Sequence, residues 1–434
     1  MTRRVTPPGT GKLFYGWVAL AGVAIASFVV GGTFVYSYGV FLPAMCKEFG
    51  WSRAVVSVGL TIGMLAFGVS GPFAGVLISR FGSRINMVLG NLLSALGLAG
   101  MSLAQEIWHV YLFYGLAGLG AGVGGFLTCS TIANSWFVRK RSLAMGIFTA
   151  TAGLGGFAFP AFEAVLIASI GWRMAWMVLA VILFVAGSLI AGLILVRNKP
   201  EDMGQVPDGI IAAPLEGTGT TDSWSDQGDR QEGWPLRQAL RTPAFWLVAA
   251  FSAANYFVLG TMIGHQVAYI QDLGFSSMVA AVTMSLVPGL GIIGRLGFGV
   301  FALRLNMKKL AIVCFITQLM ALFILITTQN LTLIYIYTAL FGISTGALIT
   351  ALPIFTGAYY GRAHFAQIQG VLNALGMAAV AVAPVIAGVI YNATATYLPV
   401  FAVMVAGSFA GLICTILIHQ PKPPVPERVE SGYQ

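Results

Sequence analysis

The sequence predicts an all-α membrane protein of twelve transmembrane helices in two six-helix bundles, and three observations carry that prediction. Hydrophobic residues fill 58% of 434 positions and charged residues only 9%, too little polar surface for a water-soluble chain of this size. Apolar stretches long enough to cross a bilayer, about 20 residues each, recur along almost the whole length. One long polar interruption divides them six and six. Strands of a membrane barrel would alternate apolar and polar residues, which these stretches do not.

The predicted spans are 14–42, 54–78, 86–104, 108–137, 142–169 and 172–195, then 245–272, 278–303, 309–327, 331–359, 366–391 and 396–419. The first is about twice the usual apolar core of a cleaved leader and runs directly into further spans, so it reads as helix 1. The interruption, residues 197–243, is rich in Gly, Asp, Ser and Thr. Such a composition buries too little apolar surface to fold alone. It is expected to be a flexible cytoplasmic linker between an N-terminal bundle, 1–196, and a C-terminal bundle, 244–434, that ends in a short cytoplasmic tail.

A net charge of +9 invites a nucleic-acid partner, and its placement excludes one. Of the 23 Lys and Arg residues, all but Lys47, Arg53, Arg173 and Arg295 fall at the termini or in alternate loops that share one side. Arg80, Arg84, Arg139, Lys140, Arg141, Arg304, Lys308, Lys309 and Arg362 are among them. That asymmetry puts both termini in the cytoplasm, with the lipid bilayer as the surrounding partner. Short termini and loops point to a prokaryotic inner membrane. Cys46, Cys129, Cys314 and Cys414 have no metal-ligand spacing, and no cofactor is expected.

The halves share a pattern. Trp136-Phe137-Val138-Arg139 is followed by Gly146 and Pro160; Tyr359-Tyr360-Gly361-Arg362 is followed by Gly370 and Pro384. The interval from glycine to proline is the same in both, as expected of parallel six-helix repeats. The 54 glycines lie largely inside spans, where small residues let helices approach closely. No Lys-Ser/Thr follows the glycine runs, so they do not read as phosphate loops.

These motifs resemble the monocarboxylate transporter family of the major facilitator superfamily, together with its oxalate/formate exchanger relatives. The resemblance covers about 14–195 and 245–419. It includes Tyr15-Gly16-Trp17, Tyr38-Gly39-Val40-Phe41, Glu48-Phe49-Gly50-Trp51-Ser52-Arg53, the loop Gly75 to Arg84, and Gly171-Trp172-Arg173. Its most specific part is Gly294-Arg295-Leu296-Gly297-Phe298-Gly299 in helix 8, whose Arg matches the family's substrate-binding arginine. The resemblance implies the major facilitator fold and carriage of small carboxylates. Two departures limit it. Gly291 stands where animal members place an Asp, and Tyr36 stands near the position of their helix 1 Lys. Both belong to the family's proton relay, which therefore does not transfer.

Arg295 carries the chemistry. Its guanidinium stays charged at any physiological pH, costs at least about 2.5–3.5 kcal/mol within a bilayer, and offers a fork that matches a carboxylate. Its helix stripe of Met284, Pro288, Gly291, Gly299 and Ala302 is expected to leave space beside it. The plain alternatives are a structural ion pair with Glu163 or a side chain snorkelling to the interface. Glu163 and His265 are candidate proton sites, against readings as a packing residue and an interfacial hydrogen-bonder. Tyr36 and Asn373 are candidate substrate contacts. Tyr38, Thr128 and Tyr337 read as packing or interhelical hydrogen bonds. The resulting expectation is a secondary transporter of lactate- or pyruvate-like monocarboxylates working by alternating access, with a proton as coupling ion. A carboxylate exchanger and a non-transporting receptor for a small acid are the rivals. No metal cluster or nucleophile with a spaced base suggests an enzyme.

Overall fold

The computed structural model describes residues 14–209 and 234–421. Helix α1, Gly16–Phe49, runs past its predicted end at 42 and stops where Gly50 turns left-handed, at φ +70°. It is not uniform: Gly31–Tyr36 forms a π-helical turn. Helix α2, Arg53–Phe81, is capped by Ser52, whose hydroxyl accepts from the Val55 N–H. Helices α3, Ser83–Ser102, and α4, Ile107–Trp136, follow. One continuous segment, Arg141–Leu195, then crosses twice. Gly171, at φ +79° and ψ 160°, folds it into α5 (141–170) and α6 (172–195), a backbone state that a residue bearing Cβ rarely adopts. The second half is α7 (Pro243–Asp272), α8 (Ser277–Phe301), α9 (Met307–Thr327), α10 (Leu331–Tyr360), α11 (Phe365–Thr394) and α12 (Leu398–Leu417). Twelve apolar helices cross among the described residues. Their outer surface is a belt of exposed side chains such as Phe73, Val165, Phe323 and Val389, which only lipid can cover without cost.

The halves meet along two equivalent crossings, α5 with α8 and α2 with α11. A Cβ at Gly146 would lie 2.9 Å from Gly299 Cα, and one at Gly71 would lie 2.8 Å from the Gly370 carbonyl. Gly146 and Gly370 are the two glycines that the repeat pattern pairs, so the internal symmetry appears as a shared way of touching the other half. Two arginines repeat it. Arg141, at the start of α5, donates to the Gly357 carbonyl at the end of α10; Arg362, before α11, donates to the Ser135 carbonyl at the end of α4, at 2.6 Å. Cations suit carbonyls at helix C-termini.

These contacts lie at the end of the molecule that carries residues 14 and 421. There one apolar core is continuous across both halves, from Trp136 and Phe148 to Phe251, Phe355 and Phe365. At the opposite end the core is split. Phe41, Tyr114 and Trp176 belong to the first half alone, and Met262, Tyr337 and Phe401 to the second alone. The halves are clamped at one end and separate at the other.

The expected flexible linker needs a correction at its flanks. Residues 210–233 lie outside the described residues, but 197–209 and 234–243 are folded back on the bundle ends. The Asp208 carboxylate accepts from the backbone N–H groups of Val138 (2.9 Å), Arg139 (2.6 Å) and Lys140 (3.3 Å). Glu201 pairs with Arg362 at 3.1 Å, and the Trp234 N–H donates to the Tyr360 carbonyl. Specific charge-assisted contacts here replace the apolar burial that the composition lacks. With such bonds contributing about 1.5–3 kcal/mol, Asp208→Ala is expected to raise amide exchange in 200–208 about ten- to a hundred-fold without moving the global unfolding midpoint. Unchanged exchange would assign the contact no weight.

Candidate functional site

Arg295 lies on α8 at the seam between the halves and is only 7% exposed. Its Nη1 crosses the seam to donate to the Thr149 carbonyl of α5 at 2.8 Å. That approach is possible because Gly153, one turn further on, has no side chain: a Cβ there would overlap the guanidinium. Beside it the Thr149 and Thr350 hydroxyls meet at 2.7 Å, a second bond between halves. Nε of Arg295 has no hydrogen-bond partner, and no carboxylate among the described residues is within ion-pair distance. A buried cation with one edge unsatisfied is costly unless something else completes it.

The small residues of its own helix serve a different purpose from the one expected. Gly299 packs on Gly146, and Gly291 faces α10, where an added Cβ would lie 3.3 Å from the Gly342 carbonyl. They bring helices together rather than leave an open space, the usual use of small side chains in membranes. Room for the guanidinium comes from α5.

Two tyrosines complete the surroundings. The Tyr36 ring lies against α5 where Gly156 has no side chain. Tyr256 of α7 is within electrostatic reach of both Arg295 and Tyr36, and its ring packs against Gly376 of α11, where a Cβ would be 2.6 Å away. Sequence reasoning missed Tyr256. Its stripe of Ala249, Ser252, Ala253 and Gly260, one aromatic among small residues, was the available signal.

The remaining candidates divide. Asn373, half-buried on α11, accepts from Gln369 Nε2 at 2.9 Å one turn before Gly376, so it borders the Tyr256 end of the site. Glu163 is not brought to Arg295, so the structural ion pair between them is absent. It lies ten positions beyond Gly153 on α5, about 15 Å at 1.5 Å per residue. It is fully buried and hydrogen-bonded to Ser37 of α1. His265 is separate again, between α7, α11 and α12. Its Nε2 faces the Pro384 carbonyl at 3.0 Å and its Nδ1 the Tyr397 hydroxyl at 3.3 Å. A carbonyl only accepts, so Nε2 carries hydrogen, and one neutral tautomer satisfies both contacts. Thr128 bonds Asn86 and the Val123 carbonyl, Tyr337 bonds Gln266, and Tyr38 donates to the Val56 carbonyl. All three stay within one half.

The sequence profile of the Major Facilitator Superfamily matches residues 23–331 and 299–432. The chain belongs to that superfamily. Within it, human "Monocarboxylate transporter 12" is 25% identical over 420 residues, covering 92% of this chain and 79% of the relative. Bovine "Monocarboxylate transporter 13" is 28% identical over 308 residues, 69% of this chain and 63% of the relative. "Oxalate:formate antiporter" of Oxalobacter formigenes is 27% identical over 288 residues, 66% of this chain and 63% of the relative. The protein is a multi-pass membrane transporter of the facilitator type, similar to the monocarboxylate carriers. Arg295 and the Gly146–Gly299 crossing lie on the same pair of helices, α5 and α8, at the seam between the two halves.

Proposed function

We propose that the protein carries small organic monocarboxylates, lactate- or pyruvate-like, by alternating access, with a proton as coupling ion. The observation that carries this reading is Arg295: a permanent, buried cation at the seam, with Nε unsatisfied and no protein carboxylate beside it. A carboxylate approaching that edge would supply the missing acceptor and neutralise the charge, with Tyr36, Tyr256 and Asn373 lining the approach. One cation suits one carboxylate. The middle of α11 carries no second one, which speaks against a doubly charged substrate. From the distribution of Lys and Arg we place both termini in the cytoplasm, and from the short loops we place the protein in a prokaryotic inner membrane. On that orientation the clamped end with its shared core faces the cytoplasm, and the end where each half keeps its own core faces outward. No enzymatic role is proposed.

The similarity to an oxalate:formate antiporter supports one rival, exchange of carboxylate anions. Uptake of labelled lactate, pyruvate, acetate, formate and oxalate into proteoliposomes, with and without an imposed pH gradient, separates the two. Symport requires gradient-driven accumulation of a monocarboxylate; accumulation only against internal anion would favour exchange; transport of oxalate above the others would overturn the single-charge argument. Gly153→Ala is expected to displace the guanidinium. With overpacking costing about 1–3 kcal/mol, uptake should fall about 5- to 150-fold in a protein that still folds. Normal uptake in that variant would dissociate Gly153 from the site.

A further inference from the structure

We infer that Ser37 transmits the protonation state of Glu163 to the Tyr36–Arg295 site, by switching its one hydroxyl hydrogen between Glu163 and the π-helical turn of α1. This deepens the proton-coupled reading above and rests on it for its role in transport, but the device itself is argued from the hydrogen bonds alone.

Ser37 Oγ lies within bonding distance of two acceptors, the Gly32 carbonyl at 2.6 Å and Oε1 of Glu163. A serine hydroxyl has one hydrogen and accepts through its lone pairs. If Glu163 is ionised, that hydrogen must be divided between two acceptors. The second oxygen of Glu163, Oε2, is buried with no donor in either form, which costs more on a charged carboxylate than on a neutral carboxyl group. If Glu163 is protonated, the chain closes: Glu163 O–H donates to Ser37 Oγ, and Ser37 O–H donates to the Gly32 carbonyl. A fully buried carboxyl with no cation nearby is far better accommodated in that form.

From α4, Tyr114 faces Glu163, but its hydroxyl is committed to the Phe34 carbonyl at 2.6 Å. On α1, Tyr38 donates to the Val56 carbonyl. From α8, Arg295 is bound to Thr149, fourteen positions back along α5 from Glu163. No Lys, Arg or His among the described residues forms an ion pair with Glu163. Among the described residues, Ser37 is its one hydrogen-bond partner.

The carbonyl that Ser37 holds belongs to the π turn Gly31–Tyr36. A π turn contains one residue more than an α turn and leaves local carbonyls in need of donors; here Ser37 serves Gly32 and Tyr114 serves Phe34. Loss of the proton from Glu163 turns the Ser37 O–H to the carboxylate and strips Gly32 of its side-chain donor. The π turn then loses part of its support, and its relaxation to an α turn re-registers Tyr36 by about one residue, roughly 100° at 3.6 residues per turn. Tyr36 is packed on Gly156, one turn of α5 beyond the Gly153 that receives the Arg295 guanidinium, and lies within electrostatic reach of Tyr256, so the substrate site registers the change. Glu163 has no exposed surface in this state, so its proton exchanges only when α1 and α5 part.

The test has two arms. Infrared difference spectra of purified protein, which need no substrate, read the C=O stretch of a protonated carboxyl group. At neutral pH the wild type should show a band that Glu163→Gln removes and Ser37→Ala shifts to higher frequency; Ser37→Thr, which keeps the hydroxyl, should leave it near its original place. No such band, or a band unmoved by Ser37→Ala, overturns the switch even if the protein transports monocarboxylates normally. In the second arm, proteoliposomes compare lactate counterflow at equal pH with uptake driven by a pH gradient. Ser37→Ala, which denies Gly32 its donor in both protonation states, should lower counterflow by about fivefold or less and the gradient-driven stimulation by at least about tenfold more, with Ser37→Thr restoring both. Equal loss of both, or loss of neither, rejects the coupling role. A wild type that carries no monocarboxylate defeats the substrate reading, while the infrared arm still decides the switch.

Discussion

Arg295→Gln is expected to reduce saturable monocarboxylate uptake by about two orders of magnitude while leaving the protein folded. The guanidinium's Nε edge has no protein acceptor, so substrate bonds to it replace nothing and are gained on binding. Two charge-assisted hydrogen bonds at the low end of about 1.5 kcal/mol each give about 3 kcal/mol, or roughly 150-fold in affinity. Stability should move little or upward, because Gln removes an uncompensated buried charge, and the Thr149 carbonyl it leaves belongs to a helix that can still hydrogen-bond internally. Arg295→Lys separates charge from shape. An ammonium keeps the sign but cannot hold Thr149 and a carboxylate with one planar fork, so uptake should fall to a few per cent. Proteoliposome uptake, alongside thermal unfolding in detergent, reads both effects. Wild-type rates in Arg295→Gln would remove the guanidinium from the mechanism.

The features of the sequence that proved most legible are those set by the bilayer. Twelve apolar stretches and the break between 169 and 172, where the chain folds at Gly171, follow from the hydrophobic length of a membrane and from backbone freedom, both local properties. The matched Gly146 and Gly370 carried more than their spacing suggested, since each turned out to make the equivalent contact with the opposite half. Arg295 was legible because a charge in hydrocarbon requires a reason. Its surroundings were not. The stripe of small residues on α8 looks like free space in one helix and becomes close packing once α5 and α10 are present. Tyr256 is one aromatic among small residues of α7 and is brought to Arg295 only by how α7 packs on its neighbours. Glu163 reads in the sequence as a candidate proton site or a packing residue. It faces the interior of its own half, toward Ser37, and no pattern within α5 distinguishes that from the seam. The π turn at Gly31–Tyr36 is similarly a tertiary outcome: two adjacent glycines pressed on Ala152 and Phe159 where propensity alone gives an ordinary helix.

The second large effect concerns the clamp. Gly71→Val or Gly370→Val is expected to drive the protein out of the state described here. At each position a Cβ would fall 2.6–2.8 Å from the partner's backbone carbonyl, and backbone, unlike a side-chain tip, cannot swing aside. Overpacking of this kind costs about 1–3 kcal/mol, which changes the ratio of two conformers about 5- to 150-fold. The penalty falls on the state with α2 and α11 in contact and disappears when the halves part at that end. A folded protein with a shifted population is therefore expected instead of general unfolding. Amide exchange should rise in 136–141 and 360–365, where Arg141 and Arg362 tie the halves together, and net uptake should fall because the cycle must return through the penalised state. Gly39→Val is the matched control, since a Cβ there meets nothing within 4 Å. If the two crossing variants exchange and transport like the control, the glycines are packing residues without a part in the cycle. If exchange rises equally throughout the protein, the substitutions have unfolded it. Only a rise confined to the clamped end, with both bundles intact, fits a hinge whose closure depends on two bare backbones meeting.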